Sequence, residues 1–289
     1  MTPTPLQATH LNARGLIQID GTESRPFLQG LITNDVDLVR PERPLYAGLL
    51  TPQGKFLHDF ILVQIGDTLL LDTERAGLAD LLRRLTMYRL RAKVDLADVT
   101  ETYRIYAVFG PGSDGIAGKE LGTFVADPRM PALGFRLYCK DSPVAQLEAM
   151  GVSITSLATY DTHRIALGVP DGSRDIPAEK AFPLEYGFDS LGAVSYDKGC
   201  YVGQELTART HNRGKVKKAL YRIAFNDGLP APGTEIHQGE TVVGEVLSAG
   251  GSYALAHLRI DAAASTARMR AGTHEIAGWD PAPVVPGQS

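Results

Sequence analysis

The sequence predicts an α+β fold that ends in a small β-barrel. Three observations carry this expectation. Strand patterns and amphipathic helices are interspersed up to residue 214. A Gly-, Pro- and Asp-rich stretch at 168–196 has no clear period, and a long irregular segment inside a folded domain is more often functional than idle. From Lys217 onward only short strands between Gly turns are visible, the pattern of a separate barrel.

The elements follow in order. Leu16 to Gly21 is a strand ending at a turn, and Thr22 to Leu31 is a helix capped by Thr22, with Pro26 in its first turns. Strands at Leu45–Leu50 and Lys55–Ile65 come next. Gly66-Asp67 then turns the chain as a two-residue hairpin into Leu69–Leu71. Leu78, Leu81, Leu82, Leu85 and Tyr88 recur at helical spacing, so 74–88 is an amphipathic helix. Strands at Arg104–Phe109 and Phe135–Cys139, a short helix at 143–150 and a helix from Ser153 to Leu167 complete the mixed part. The barrel strands are Ala219–Phe225, Thr241–Leu247, Tyr253–Leu258 and His274–Ile276, followed by a loose tail, Pro281 to Ser289.

Composition narrows the function. The 289 residues hold 29 Lys and Arg against 33 Asp and Glu, a formal net charge of −4, with 44% hydrophobic and 21% charged residues. This is an ordinary globular mixture, which excludes a disordered chain, a collagen-like chain and a strongly basic nucleic-acid coat. The length suits two or three domains. Two cysteines, Cys139 and Cys200, make no disulfide framework and fit a reducing compartment. No apolar run approaches the roughly 20 residues of a membrane helix, and MTPTPLQATH has no signal-peptide character. The expected location is the cytoplasm of a bacterium, or the mitochondrial matrix in a eukaryote.

The informative run is Lys198-Gly199-Cys200-Tyr201-Val202-Gly203-Gln204-Glu205, continuing to His211. Gly199 and Gly203 make the backbone around the thiol permissive. Gln204 to His211 are good helix formers, so Cys200 comes just before a helix N-terminus, and Lys198 adds a cation. Both favour thiolate over thiol. Cys139 ends a strand beside Tyr138 and is expected to be a packing residue. No Cys or His spacing matches a zinc or cluster site, so no permanently bound metal is expected, although Cys200 can give one ligand to a metal or cluster shared with a partner. Basic residues bunch at Arg209, His211, Arg213, Lys215, Lys217, Lys218 and Arg222. They make either a solvated surface or an anion-binding wall.

The run KGCYVGQELTART resembles the signature of the YgfZ-type family, whose mitochondrial members act in iron–sulfur cluster assembly. That family is similar to T-protein, the tetrahydrofolate-dependent aminomethyltransferase of glycine cleavage. Phe27 to Val36 and Leu49 to Lys55 resemble two further family elements. The resemblance implies a three-lobed T-protein-like arrangement. Residues 1–98 with 157–214 would form a folate-binding αβ lobe, 99–156 a second αβ lobe, and 215–289 the C-terminal β-barrel. It implies tetrahydrofolate binding near Asp59, with Arg164 for a carboxylate tail and Glu185 from the Pro183-Leu184-Glu185 loop. His58, Arg136 and Ala166 stand where T-protein-like chains carry acids.

The expected function is a folate-binding accessory factor in the assembly or repair of iron–sulfur clusters, acting through Cys200. The alternative is a folate-dependent aminomethyl or one-carbon transferase with Asp59 as its carboxylate. The implied partner is an A-type iron–sulfur carrier protein. A monomer is expected, without direct nucleic-acid or membrane contact, and any link to tRNA modification would be indirect.

Overall fold

A computed structural model describes residues 5–116, 120–214 and 216–283, apart from the side chain of Arg213. In chain order the first elements are β1 (Gln7–His10), β2 (Arg14–Asp20), α1 (Ser24–Gln29), β3 (Leu45–Leu50), β4 (Phe56–Ile65), β5 (Thr68–Glu74), α2 (Arg75–Arg89), β6 (Asp95–Asp98), β7 (Arg104–Phe109), β8 (Thr123–Ala126), β9 (Phe135–Cys139), α3 (Val144–Ala149), β10 (Ser153–Thr155) and α4 (Leu157–Ala166). Then come α5 (Gly172–Asp175), α6 (Gln204–Arg213), β11 (Lys218–Phe225), β12 (Glu235–Gln238), β13 (Thr241–Gly250), β14 (Tyr253–Arg259), α7 (Ile260–Ala263), β15 (Arg270–Ala271) and β16 (His274–Pro281).

Two compact units result. The first is Met1–Leu50, Leu57–Tyr160 and Gly192–Val202; the second is Thr51–Phe56, Asp161–Leu191 and Gly203–Ser289. The cysteine run is thus divided between them after Val202.

The first unit holds two five-stranded sheets, ordered β3-β4-β5-β2-β6 and β10-β1-β7-β9-β8. Successive strand residues point to opposite faces, which gives the first sheet two buried sides. Ile17, Ile19 and Leu71 pack with Leu81 and Leu85 of α2. Leu16, Val63 and Leu70 instead meet Ile105, Phe109 and Tyr138 of the other sheet. A charge network is buried in the same unit. Asp72 on β5 takes Arg14 Nε at 2.7 Å, Arg136 Nη1 at 2.7 Å and the Tyr138 hydroxyl at 2.9 Å. Asp127 takes Arg129 at 2.7 Å and Arg136 Nε at 3.2 Å.

The second unit carries a closed barrel, β11-β14-β13-β12-β15-β16. Closure leaves no free sheet edge. Its core includes Ile223, Ile236, Val246, Ala256, Leu258 and Met269.

Several boundaries differ from the sequence expectation. The first helix starts at Ser24, with Glu23 rather than Thr22 at its N-cap. The helix expected from Ser153 starts at Leu157, because Ser153–Thr155 instead form β10, which pairs in parallel with β1. Ser156 then turns the chain, its hydroxyl accepting from Thr159 N at 3.3 Å. Strands β1, β6, β8 and β12 were not expected; their short or polar sequences carry little period. Pro281 closes β16, and the rest of the expected loose tail from residue 284 lies outside the described residues, as does Lys215. The Gly66-Asp67 hairpin is as expected, with Gly66 at φ +61° between β4 and β5.

Candidate thiol site

Cys200 is exposed. Its presentation depends on a segment far away in sequence. Residues 192–202 lie along residues 30–34, and polar contacts join them. The Thr33 hydroxyl donates to Ala193 O at 2.6 Å and the Asn34 amide to Gly192 O at 2.7 Å. Ser195 N donates to Thr33 O at 3.0 Å, and Val202 N to Gly30 O at 3.2 Å. Thr33 and Asn34 are buried and hold their own strand neighbours too. Gly48 N donates to Thr33 Oγ1, and Asn34 Nδ2 also donates to Tyr46 O, each at 2.8 Å. Asparagine suits this work, since one side-chain amide bridges two carbonyls.

Lys198 was expected to be a cation serving the thiol. In the fold its side chain is buried, with Nζ donating to Ile32 O and Asn34 O, both at 2.8 Å, and lying 5.2 Å from the centre of the Tyr201 ring. Burial pulls its pKa down to about 8, against the opposing pull of Asp35 and Asp37. Gly199 is exposed and has open space around the position of a Cβ. In the second unit, Gly203 sits at φ +85° as the N-cap of α6, a conformation that favours glycine; Gln204 and Glu205 open the helix. Cys139 is buried on β9, with Sγ 3.6 Å from Arg104 O, and burial pushes its thiol up to about 11.

Asp59 is buried on β4 and accepts the Tyr46 hydroxyl at 2.9 Å. The Arg129 guanidinium stands 5.9 Å from the centre of the Tyr46 ring, which brings Asp59 close to the buried charge network. His58 faces the other way and meets Asp80 on α2 at 2.9 Å. Tyr46 and Asn34 also line an open cleft of about 370 Å³ with Leu38, Arg43, Pro128 and Gly192. This cleft and the thiol cradle share Asn34 and Gly192.

The other two predicted residues belong to the second unit. Arg164 is 1% exposed. It bonds Asp161 at 2.7 Å, Asp175 at 2.8 Å, Val169 O at 3.0 Å and Ser248 at 3.1 Å. Its fork is therefore occupied by its own chain, and a carboxylate tail would have to displace a partner. Glu185, on the turn Pro183–Tyr186, lies 3.3 Å from His257 Nε2 of β14, whose ring stacks on Tyr186 at 4.5 Å. Of the basic run, Arg222 is tied to Asp280 and Ala166 O, and His211 lies 3.3 Å from Asp189; Arg209, Lys217 and Lys218 are exposed. Among the described residues, no group of three or more His, Cys, Asp or Glu is placed to hold a metal ion. No described helix is long and apolar enough to cross a membrane.

Sequence reasoning missed Thr33, Asn34 and Tyr46. Thr33 and Asn34 stood inside the quoted Phe27–Val36 element, but their partners are backbone atoms, which leave no residue pattern to read.

The fold defines the class. The GCVT N-terminal domain family matches residues 8–155, and the CAF17 C-terminal β-barrel family matches 217–284. The aminomethyltransferase T of the Bartonella henselae glycine cleavage system superposes with a TM-score of 0.78 at 15% identity, covering 97% of this chain and 86% of that one. The architecture is accordingly a T-protein-like α+β fold with a closed C-terminal β-barrel. Among relatives, the mitochondrial iron–sulfur cluster assembly factor IBA57 of Homo sapiens is 35% identical over 81% of this chain and 70% of its own length. The Mus musculus protein of that name is 33% identical, over 77% and 67%. The Mycosarcoma maydis homolog is 34% identical over 78% of this chain and 58% of its own length, so the chain spans little more than half of that relative. The chain belongs to the IBA57 family of iron–sulfur cluster assembly factors.

Proposed function

We propose that this chain is an accessory factor in iron–sulfur cluster assembly and that Cys200 is its working group. The observation that carries the reading is an exposed thiol on a loop held in place on both sides. The names of its relatives agree with the assembly role. The partner is a carrier protein of the A type, bearing the cluster as cargo. Transfer is ligand exchange: Cys200 loses its proton to solvent, its sulfur bonds one iron, and one carrier ligand leaves that iron. No electron moves in that step. The relatives are named mitochondrial, and the chain would work in the mitochondrial matrix in a eukaryote and in the cytoplasm in a bacterium.

Reconstitution of a four-iron four-sulfur recipient with a cluster-loaded A-type carrier tests this. Cys200→Ser is expected to lower the rate by about 100-fold, with unchanged thermal unfolding, because an exposed side chain contributes little to stability. Full activity in that variant overturns the reading. Native thiol labelling should modify Cys200 and leave Cys139 untouched, as burial and a raised pKa both protect the latter.

Tetrahydrofolate is proposed as a bound ligand rather than a reactant. The cleft beside Tyr46 falls within the usual range for small-molecule sites, and the exposed Arg43 at its rim suits an acidic tail. The Tyr46–Asp59 pair would orient polar groups at that wall, whereas Arg164 and Glu185 are engaged elsewhere. Fluorescence titration with tetrahydrofolate should show binding that weakens about tenfold in Arg43→Glu. Equal affinity in the two proteins removes the cleft as the site.

A further inference from the structure

The buried ammonium of Lys198 is unusual in its partners. It donates to two main-chain carbonyls, and among the described residues no carboxylate forms an ion pair with it. Those carbonyls belong to Ile32 and Asn34, which flank Thr33, and Thr33 itself binds the segment at Ala193 and Ser195. The Lys198 main chain is fixed as well, its N donating to Ser195 Oγ at 3.3 Å. Beyond the thiol, Val202 N is held by Gly30 O. Three residues separate these two anchors, and Cys200 is the middle one. Gly199, with open space around it, would leave that span free to wander if either anchor were lost.

We infer that Lys198 is the positioning residue for Cys200: its ammonium, gripping the carbonyls of Ile32 and Asn34, fixes segment 198–202 in the conformation that presents the thiol to a cluster-bearing partner. This rests on the proposed role of Cys200. A charge-assisted bond to each carbonyl specifies direction as well as distance, which an apolar side chain of equal length cannot do. Buried polar groups are kept for conformational specificity in some proteins even where an apolar residue would be equally stable. Lys198 meets that description, since it is desolvated without an opposite charge in contact.

Hydrogen exchange and cluster transfer, measured together on the full chain, test the inference. In Lys198→Met, amides of Lys198 to Val202 should exchange about tenfold faster, while those of β4 and β5 keep their rates. Cluster delivery from the loaded carrier should fall about tenfold, and the melting temperature should stay within about 2 °C. Lys198→Gln, which retains a neutral donor for one carbonyl, should fall between wild type and Met in both readouts. Unchanged exchange in the loop overturns the inference. So does a loosened loop with undiminished delivery, and so does a general rise in exchange across the unit, which would make Lys198 a plain stability residue. If Cys200→Ser proves fully active, the functional reading fails by itself, and loop exchange in Lys198→Met still decides whether the grip exists.

Discussion

Two sets of buried charges in the first unit behave in opposite ways. Asp72 and Asp127 are enclosed among Arg14, Arg129 and Arg136, with Tyr138 supplying a further donor to Asp72. Burial by itself would raise both carboxyls, yet the arginines hold Asp72 below and Asp127 well below the usual carboxylate range. Lys198 is also buried, but among the described residues its ammonium bonds carbonyls and forms no ion pair, and burial pulls its pKa down to about 8 against the opposing pull of Asp35 and Asp37. The folded state therefore favours the charged form of the aspartates and disfavours that of the lysine. The network between the sheets stabilises the scaffold, whereas the thiol loop keeps a charge at a cost in stability, which is the usual mark of a site shaped for work.

The largest expected effect comes from breaking the network. Asp72→Ala leaves Arg14 and Arg136 buried beside a gap, and removing one partner of a buried ion pair costs about 3–5 kcal/mol. Urea unfolding should show that loss, with cluster delivery failing through unfolding. Lys198→Met should show almost none of it. If the two variants lose equal stability, the contrast between the regions is wrong.

Titration sharpens the same contrast with a smaller effect. Asp72 and Asp127 have folded pKa values below the ordinary 3.8, so their contribution is present above about pH 4 and is lost as pH falls toward their folded values. For Lys198 the folded value of about 8 lies below the ordinary 10.5, so in that interval the unfolded chain binds more protons. Stability should therefore rise with pH from about 8 to 10.5 at this residue. Melting curves across pH should show an acid limb shared by wild type and Lys198→Met. The difference between the two proteins should open only on the basic side, in favour of wild type as pH rises.

Much of this was legible in the sequence, for physical reasons. Ile17, Ile19, Leu81 and Leu85 obey strand and helix periods, and Gly66-Asp67 has the turn chemistry of a hairpin. Cys139 was legible as a packing residue from its strand, and the fold buries it; the glycines singled out Cys200 but left its exposure open, which the fold supplies. The cradle was not legible. Lys198 binds main-chain oxygens more than 160 positions away, and any residue at positions 32 and 34 offers the same carbonyl. Arg164 was recognised as special, but its occupants Asp161, Asp175 and Ser248 converge only in three dimensions. Strand β10 was hidden because three residues are too few for a period, and its partner β1 is nearly 150 positions earlier.

The smallest effect separates two glycines that look alike in the cysteine run. Gly203 holds φ +85°, where a side chain is strained, so Gly203→Ala should cost about 1–2 kcal/mol. Gly199 has an ordinary φ and nothing within 4 Å of an added Cβ, so Gly199→Ala should change stability by no more than about 0.5 kcal/mol. Yet the new methyl would stand in open space one residue from the exposed thiol. Unfolding curves and cluster delivery measured side by side should thus diverge: Gly203→Ala less stable, Gly199→Ala equally stable but slower in delivery. Unimpaired delivery by Gly199→Ala would mean that the partner reaches the sulfur from another direction, and the loop's fixed conformation would then matter less than the thiol's exposure.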